Sequence, residues 1–340
     1  MKAKKRLMSA AVLVVACLSP ATVRSAVVFQ FDYSLDTLNF FDTQAKRDVL
    51  EAAGLAITSQ LGDTLDAIAP AGVNTWSAVI ARPDTGASFS ISNPTIPANT
   101  IVVYAGGRDM GATILGQGGA GGFNAGGTSP WFDTIRFRGE NANGATLTPT
   151  STDFGPWGGQ AAFTTAAGVN WNFSLAAPTA GQLDFYSVAL HELNHLMGFN
   201  SGTPSQVHWL NGGTTFTGPT VTAQNGGVAA PMNSQEAGGN NSHFKSGSVS
   251  VISYSTTPQE PAMTAAIAVG TRKVMTKLDF AALDDLGWDV NPGVYQTVVP
   301  EPAEYVAVAA LGLVAFATWR RRGARSVNGR RAGIECVAAR

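Results

Sequence analysis

Residues 191–201 read "HELNHLMGFNS", and this stretch decides how the rest of the chain is interpreted. His191 and His195 are four positions apart, so on an α-helix both imidazoles project from one face and can converge on one metal ion. Glu192 lies beside the first histidine, near enough to accept a proton from water that the metal activates without being a ligand itself. The pattern predicts a catalytic metal centre built on a helix.

The helix that carries this pattern is predicted over residues 184–197, "DFYSVALHELNHLM". Asp184 or Ser187 can cap its first turn, because their side-chain oxygens accept hydrogen bonds from free backbone N–H groups. Gly198 supplies the left-handed residue that commonly ends a helix.

A catalytic zinc site takes a third protein ligand and leaves one position for water. Residues 27–298 contain no cysteine, since Cys17 and Cys336 lie near the two ends of the chain, so the ligands must be nitrogen or oxygen. No aspartate occurs between Gly198 and Leu278. The candidates that remain are His208, Glu236, His243 and Glu260.

The stretch resembles the metzincin pattern H-E-x-x-H-x-x-G-x-x-H of zinc peptidases. Its matching residues are His191, Glu192, His195 and Gly198. Ser201 stands where that pattern has its third histidine.

A departure of this kind is known in the leishmanolysin-like metzincins, where an insertion precedes the third histidine and a methionine follows on a tight turn. The segments "NSHFKSG" around His243 and "EPAMTAAI" around Met263 are similar to those features. The resemblance, which covers residues 185–290, implies that His243 is the third zinc ligand, with His208 as the main alternative. It also implies that Met263 is the structural methionine of the turn and that Glu192 is the general base.

The expected fold class is α/β (α+β), a metzincin-like zincin within a metallopeptidase domain of residues 27–294. A twisted mixed sheet with the active-site helix would form an N-terminal subdomain, 27–198, and an irregular C-terminal subdomain would follow at 199–294. Apolar spacing predicts helices over 43–67 and 276–290. Thr276 and Asp279 have the spacing of a capping box at the start of the second of these helices.

Runs of β-forming residues predict strands at 27–34, 76–81, 88–92, 100–104, 131–139 and 160–175. The resemblance implies that the last segment is an edge strand that holds a substrate peptide. Residues 105–129 are rich in glycine and are predicted to form a loop. Gly116, Gly118 and Gly121 have G-x-G-x-x-G spacing, but the strand, helix and acidic residue that a nucleotide site requires are not evident around them.

The N-terminus is predicted to be a secretory signal peptide over residues 1–26, with a basic start, an apolar centre and a small-residue cleavage zone. Lipoprotein cleavage before Cys17 is an alternative way of processing it.

Residues 299–325 resemble the PEP-CTERM sorting signal of Gram-negative bacteria. The resemblance rests on Pro300, Glu301 and Pro302, an apolar run at 305–319, and the basic cluster that begins at Arg320. It implies export to the cell surface, a transient inner-membrane anchor and processing by an exosortase, and a basic tail follows at 326–340. The apolar run is short for a membrane-spanning helix.

Charge is segregated along the chain. Of 22 basic residues, five lie in the first 26 positions and seven lie at or beyond Arg320, so residues 27–298 contain ten. The same span contains 20 of the 23 acidic residues, all but Glu301, Glu304 and Glu335. A net charge of about −10 argues against nucleic acid as a partner, because phosphate backbones bind basic surfaces.

The function expected from these observations is that of an exported zinc endopeptidase acting on protein or peptide substrates. One alternative is a non-catalytic adhesion or matrix protein of the cell surface, and another is a metal-dependent hydrolase of non-peptide substrates. Calcium binding is not supported, because Asp133 and Asp153 lack the ligand spacing of a calcium site.

Overall fold

The computed structural model describes residues 27–139, 154–200, 209–237 and 239–297. The predicted signal peptide, the sorting segment, the basic tail and His208 lie outside the described residues. In the part of the chain that is described, no helix is long and apolar enough to cross a membrane.

A mixed four-stranded sheet forms the centre of the fold. Its strands are β1 (Val28–Asp32), β4 (Thr100–Arg108), β5 (Gly116–Ala120) and β7 (Gly158–Thr164), and their spatial order is β1-β4-β7-β5. The first three in that order are parallel and β5 is antiparallel to β7. Strand β4 is buried along most of its length, as expected for a strand covered on both faces.

Two long helices pack together beside this sheet. Helix α1 (Gln44–Thr58) contacts β1, and helix α3 (Phe185–Leu196) contacts both α1 and the antiparallel strand β5. The larger hydrophobic core lies among these elements.

A second sheet and a short helix enclose a smaller core. The sheet is antiparallel, with the order β3 (Ser88–Ser92), β2 (Thr75–Ala81) and β6 (Gly122–Gly126). Helix α2 (Ser129–Phe137) covers it through Trp131 and Ile135, which pack with Trp76 and Trp157.

The remaining elements are short, and the part of the chain after α3 is mostly irregular. Two-residue strands pair at β8 (Trp171–Asn172) with β9 (Leu183–Asp184), before the helix, and at β13 (Ser250–Val251) with β14 (Pro258–Gln259), after it. The other elements are strands β10 (Leu210–Asn211), β11 (Thr215–Phe216) and β12 (Ala230–Pro231), helices α4 (Pro219–Gln224) and α5 (Lys277–Asp285), and 3₁₀ turns at Asn233–Gln235 and Pro292–Tyr295.

The fold is therefore a mixed α+β structure with several sheets and five α-helices among the described residues, as the sequence predicts at this level. The capping box of Thr276 and Asp279 is confirmed at the start of α5, although that helix ends at Asp285 instead of residue 290. The division into two subdomains at Gly198 stays a prediction.

The helix predicted over 43–67 is too long, because α1 ends at Thr58. Beyond it, Leu61 pairs with Val290 and the Leu65 N–H bonds to the side chain of Asn99, 2.7 Å away. These two leucines match the helical spacing, yet they are buried by contacts with distant segments.

The loop predicted over 105–129 is wrong, since β4 runs to Arg108 and β5 and β6 follow. The strand predicted over 131–139 is also wrong. Pro130 lies in the first turn of α2, and the buried Trp131 and Ile135 are four residues apart, which is a helical spacing.

The longer strand within 160–175 is not the expected edge strand of the central sheet. Strand β7 lies between β4 and β5, and β5 is at the edge of that sheet among the described residues. The sequence places the edge wrongly because β5 consists mainly of glycine, which has a low strand propensity.

Candidate metal centre

Helix α3 begins where the sequence predicts. The side chain of Asp184 caps it by accepting the Ser187 N–H, 3.2 Å away, so Asp184 is the cap and Ser187 is the donor. The helix stops at Leu196 with Met197 as its C-cap, and the next residue, Gly198, adopts a positive φ of 107°. Ten of the twelve helix residues are buried, so most of the helix surface is packed against the rest of the protein.

The structure brings His191, His195 and His243 together. The Nε2 atom of His191 is 3.0 Å from that of His243 and 3.1 Å from that of His195, and the latter two are 3.2 Å apart. Ligand nitrogens about 2.0–2.1 Å from one tetrahedral zinc ion lie roughly 3.3 Å apart, so this triangle has the right size. The three residues lie close enough to hold one metal ion.

Two of these imidazoles are oriented by backbone carbonyls. The Nδ1–H of His191 donates to the Ala262 carbonyl at 2.8 Å, and the Nδ1–H of His195 donates to the Phe199 carbonyl at 2.6 Å. A carbonyl can only accept, so Nδ1 carries the proton and Nε2 keeps a free lone pair. Both rings are therefore held in the tautomer that a metal ligand needs.

The third imidazole is held by an amide. Nδ1 of His243 is 3.4 Å from Nδ2 of Asn233, and the buried Oδ1 of Asn233 has no hydrogen-bond partner among the described residues. A half-turn of this amide would bring Oδ1 opposite the ring, where it can accept the Nδ1 proton. That arrangement satisfies the buried oxygen and leaves the lone pair of His243 on Nε2, as in the other two rings.

Burial keeps all three histidines neutral. It lowers the pKa of His191 well below the usual value, an effect that the neighbouring His195 and His243 rings reinforce. It also lowers the pKa of His195, and it lowers the pKa of His243 to about 3. Neutral imidazole is the form that binds metals, so the cluster is prepared for a cation at neutral pH.

Glu192 is buried against the edge strand β5. Burial raises the pKa of its carboxyl to about 8, and a backbone hydrogen bond from Gly118 acts in the opposite direction. A Cβ atom at Gly116 would lie 2.5 Å from Oε1 of Glu192, and one at Gly118 would lie 2.1 Å from the Glu192 carbonyl oxygen. A side chain at either position would displace the glutamate side chain or its backbone from the place observed here.

The three histidines and Glu192 share a cleft of about 920 Å³. Residues 112–118, which end in β5, form one wall, and residues 264–267 with Val269 form part of another. Exposed apolar side chains lie on these walls at Ile114 and Val269. The three histidines and Glu192 therefore line one cavity.

Met263 is buried. It directly follows Ala262, whose carbonyl holds His191. Its carbonyl accepts the N–H of Phe244, the residue after His243, at 2.9 Å. Its role as the structural methionine stays a prediction. The other nearby methionine, Met275, places its sulfur 3.2 Å from the side chain of Asn194.

The other candidate ligands are engaged elsewhere. Glu260 forms an ion pair with Lys273 at 2.7 Å, and Glu236 accepts a hydrogen bond from Ser246 at 3.3 Å. His208, and Asp153 among the candidates for calcium, lie outside the described residues. Asp133 is exposed on helix α2.

Sequence reasoning missed three features of the site: the Ala262 carbonyl, the Asn233 amide and the glycines of β5. The first two carry no signal in a single sequence, because their roles depend on distant chain segments meeting. The glycines are visible as a pattern, but in a single sequence that pattern fits a flexible loop as well as a closely packed strand.

Comparison of this chain with protein-family models, with curated proteins and with solved structures found no match. The functional interpretation therefore rests on the residues and their geometry.

Proposed function

We propose that this protein is an exported zinc-dependent endopeptidase. The observation that carries the proposal is the convergence of three neutral imidazole nitrogens, 3.0–3.2 Å apart, in the same cleft as a buried glutamate. His191, His195 and His243 would hold the ion, and Glu192 would act as the general base.

Zinc suits this donor set better than other common ions. Three imidazoles match a catalytic zinc site that keeps its fourth position open, whereas calcium and magnesium prefer oxygen ligands. When bound, zinc would supply a Lewis acid that activates water and polarises the carbonyl to be attacked.

The proton transfers would belong to Glu192. Its carboxylate would take a proton from the attacking water and deliver it to the nitrogen of the leaving amine as the peptide bond breaks. Burial strengthens its affinity for a proton, and a cation beside it would lower that affinity again, toward the range where the carboxylate is ionised at neutral pH.

An extended peptide is the substrate that fits the cleft best. Strand β5 lies at the edge of the central sheet, with a partner strand on one side only among the described residues. A peptide could add to that edge through backbone hydrogen bonds and cross the cleft beside the three histidines. The mixed sheet, the Gly198 turn and the segment around Met263 support a metzincin-type architecture as part of the proposal.

Export and processing are proposed from the sequence alone. The signal-like residues 1–26 and the PEP-CTERM-like residues 299–325 support delivery to the surface of a Gram-negative cell, with an exosortase as the processing partner.

Metal analysis and hydrolysis of an unfolded protein substrate would test the enzyme. We expect about one zinc per chain, and a fall in kcat of at least about a hundredfold in Glu192→Gln, because a lost general base typically costs 10²–10⁴-fold. Glu236→Gln is a matched control that changes a glutamate bonded to Ser246, and it should retain the parent's rate. Full activity in Glu192→Gln would overturn the peptidase, and zinc binding without hydrolysis by the parent would favour a non-catalytic surface role.

A further inference from the structure

The segment Ala262–Met263 contacts His191 itself and the residue that follows His243. The Ala262 carbonyl accepts the Nδ1–H of His191, and the Met263 carbonyl accepts the backbone N–H that follows His243. A change in the orientation of this dipeptide would therefore move the groups that hold the imidazoles of His191 and His243 in place.

One buried carboxylate holds the other side of the same dipeptide. Oδ2 of Asp279 accepts the Ala262 N–H at 2.9 Å, and Oδ1 accepts the Met263 N–H at 3.0 Å. Asp279 is 1% exposed, and it also accepts the backbone N–H and the hydroxyl of Thr276 at the start of α5. A carboxylate that accepts four hydrogen bonds without access to water has little freedom to move.

We infer that Asp279 is a positioning residue for the metal centre, acting on His191 and His243 through the Ala262–Met263 backbone. The inference rests on the proposed metal site and adds to it a group that touches neither the ion nor the substrate. The physical basis is that groups behind a metal-bound imidazole fix its direction and raise its basicity, typically changing metal affinity by about 10–100-fold. Asp279 does not contact the imidazoles directly, because the Ala262–Met263 backbone lies between them.

The same helix provides a matched control. Asp285 is also buried, and its two carboxylate oxygens accept the N–H groups of two consecutive residues, Thr220 and Val221, at 2.9 and 2.8 Å. Those residues belong to α4, which holds none of the three histidines. Asp279→Asn and Asp285→Asn therefore remove similar interactions, and only the first leads to the metal site.

The experiment measures zinc affinity of the full chain by competition with a chromophoric chelator, for the parent and both variants. We expect Asp279→Asn to bind zinc about 10–100-fold more weakly, because its amide NH₂ must face at least one backbone N–H, and Asp285→Asn to match the parent. The visible absorption spectrum of the cobalt(II)-substituted protein should change for Asp279→Asn alone. Equal affinities and identical cobalt spectra would overturn the inference.

Amide hydrogen exchange of the unaltered chain tests the same coupling if Asp279→Asn does not fold. Zinc should increase the protection of the Ala262 and Met263 amides while leaving that of Thr220 and Val221 unchanged. The same protection with and without zinc at Ala262 and Met263 would contradict the inference. A parent that binds no zinc would overturn the metal centre together with this inference, whereas an unaffected Asp279→Asn would overturn the inference alone.

Discussion

Glycine serves opposite purposes in two regions of this molecule. In β5, Gly116 and Gly118 have ordinary backbone angles and are pressed against Glu192. In the turn after α4, Gly227 has a φ of 85°, and a Cβ atom there would meet no atom of the described residues within 4 Å. The first region needs glycine for space and the second for backbone conformation, so glycine content alone does not distinguish a strand from a loop.

The largest effect is expected for Gly118→Ala. The added methyl group would meet the backbone carbonyl of Glu192, which cannot move without shifting α3. We expect the free energy of unfolding to fall by about 3 kcal/mol or more, at the upper end of overpacking costs. Denaturant unfolding measures this change.

Gly119→Ala is the control in the same strand. Its nearest neighbour would be the side-chain nitrogen of Gln160 at 3.5 Å, an ordinary contact. Its stability should stay within about 0.5 kcal/mol of the parent. Equal losses in the two variants would show that β5 is sensitive to any side chain and that packing against Glu192 is not the reason for its glycines.

Gly116→Ala should affect catalysis more than stability. The methyl group would meet the carboxylate end of Glu192, 2.5 Å away, and a side chain can rotate aside where a backbone cannot. Because misplacing a catalytic group by about 1 Å can cost 10²-fold, we expect kcat to fall by about a hundredfold while zinc content stays at the parent's level. Steady-state kinetics and metal analysis together check this expectation, and a loss of zinc would contradict it.

The smallest effect is expected for Gly227→Ala. The positive φ should cost about 1 kcal/mol in the free energy of unfolding, because L-residues with a Cβ are strained there. Peptide hydrolysis should not change, since this residue is not among those lining the cleft. Gly227→Asn should cost less than the alanine variant, as asparagine tolerates left-handed angles. The comparison between the two regions would fail if alanine were fully tolerated at Gly227 in thermal unfolding.

Elements with a strong local signal were predictable from the sequence. The helix of His191 and His195 carries its own cap and its own terminating glycine, and α5 carries a capping box. Strands β2 and β3 are rich in β-forming residues with alternating burial, and both lie where they were predicted. These signals act between residues a few positions apart, so they can be recognised in the sequence before the fold is known.

Errors occurred where a distant contact overrides local preference. Leu61, whose apolar spacing predicts a longer α1, pairs instead with Val290. The residues of α2 favour strand individually, but Trp131 and Ile135 are buried together against the second sheet. In both cases burial of apolar surface outweighs intrinsic propensity, which spans only about 1 kcal/mol per residue.

The sequence by itself determined that one helix presents two imidazoles and a carboxylate, and it left a short set of residues from which a third metal ligand could come. Only the tertiary structure decided that His243 completes the cluster and that Ala262 orients His191. It also decided that a glycine strand encloses Glu192. The physical reason is distance along the chain, because neighbours on one helical turn are set by covalent geometry, whereas residues 52 positions apart, such as His191 and His243, meet only when the whole core packs.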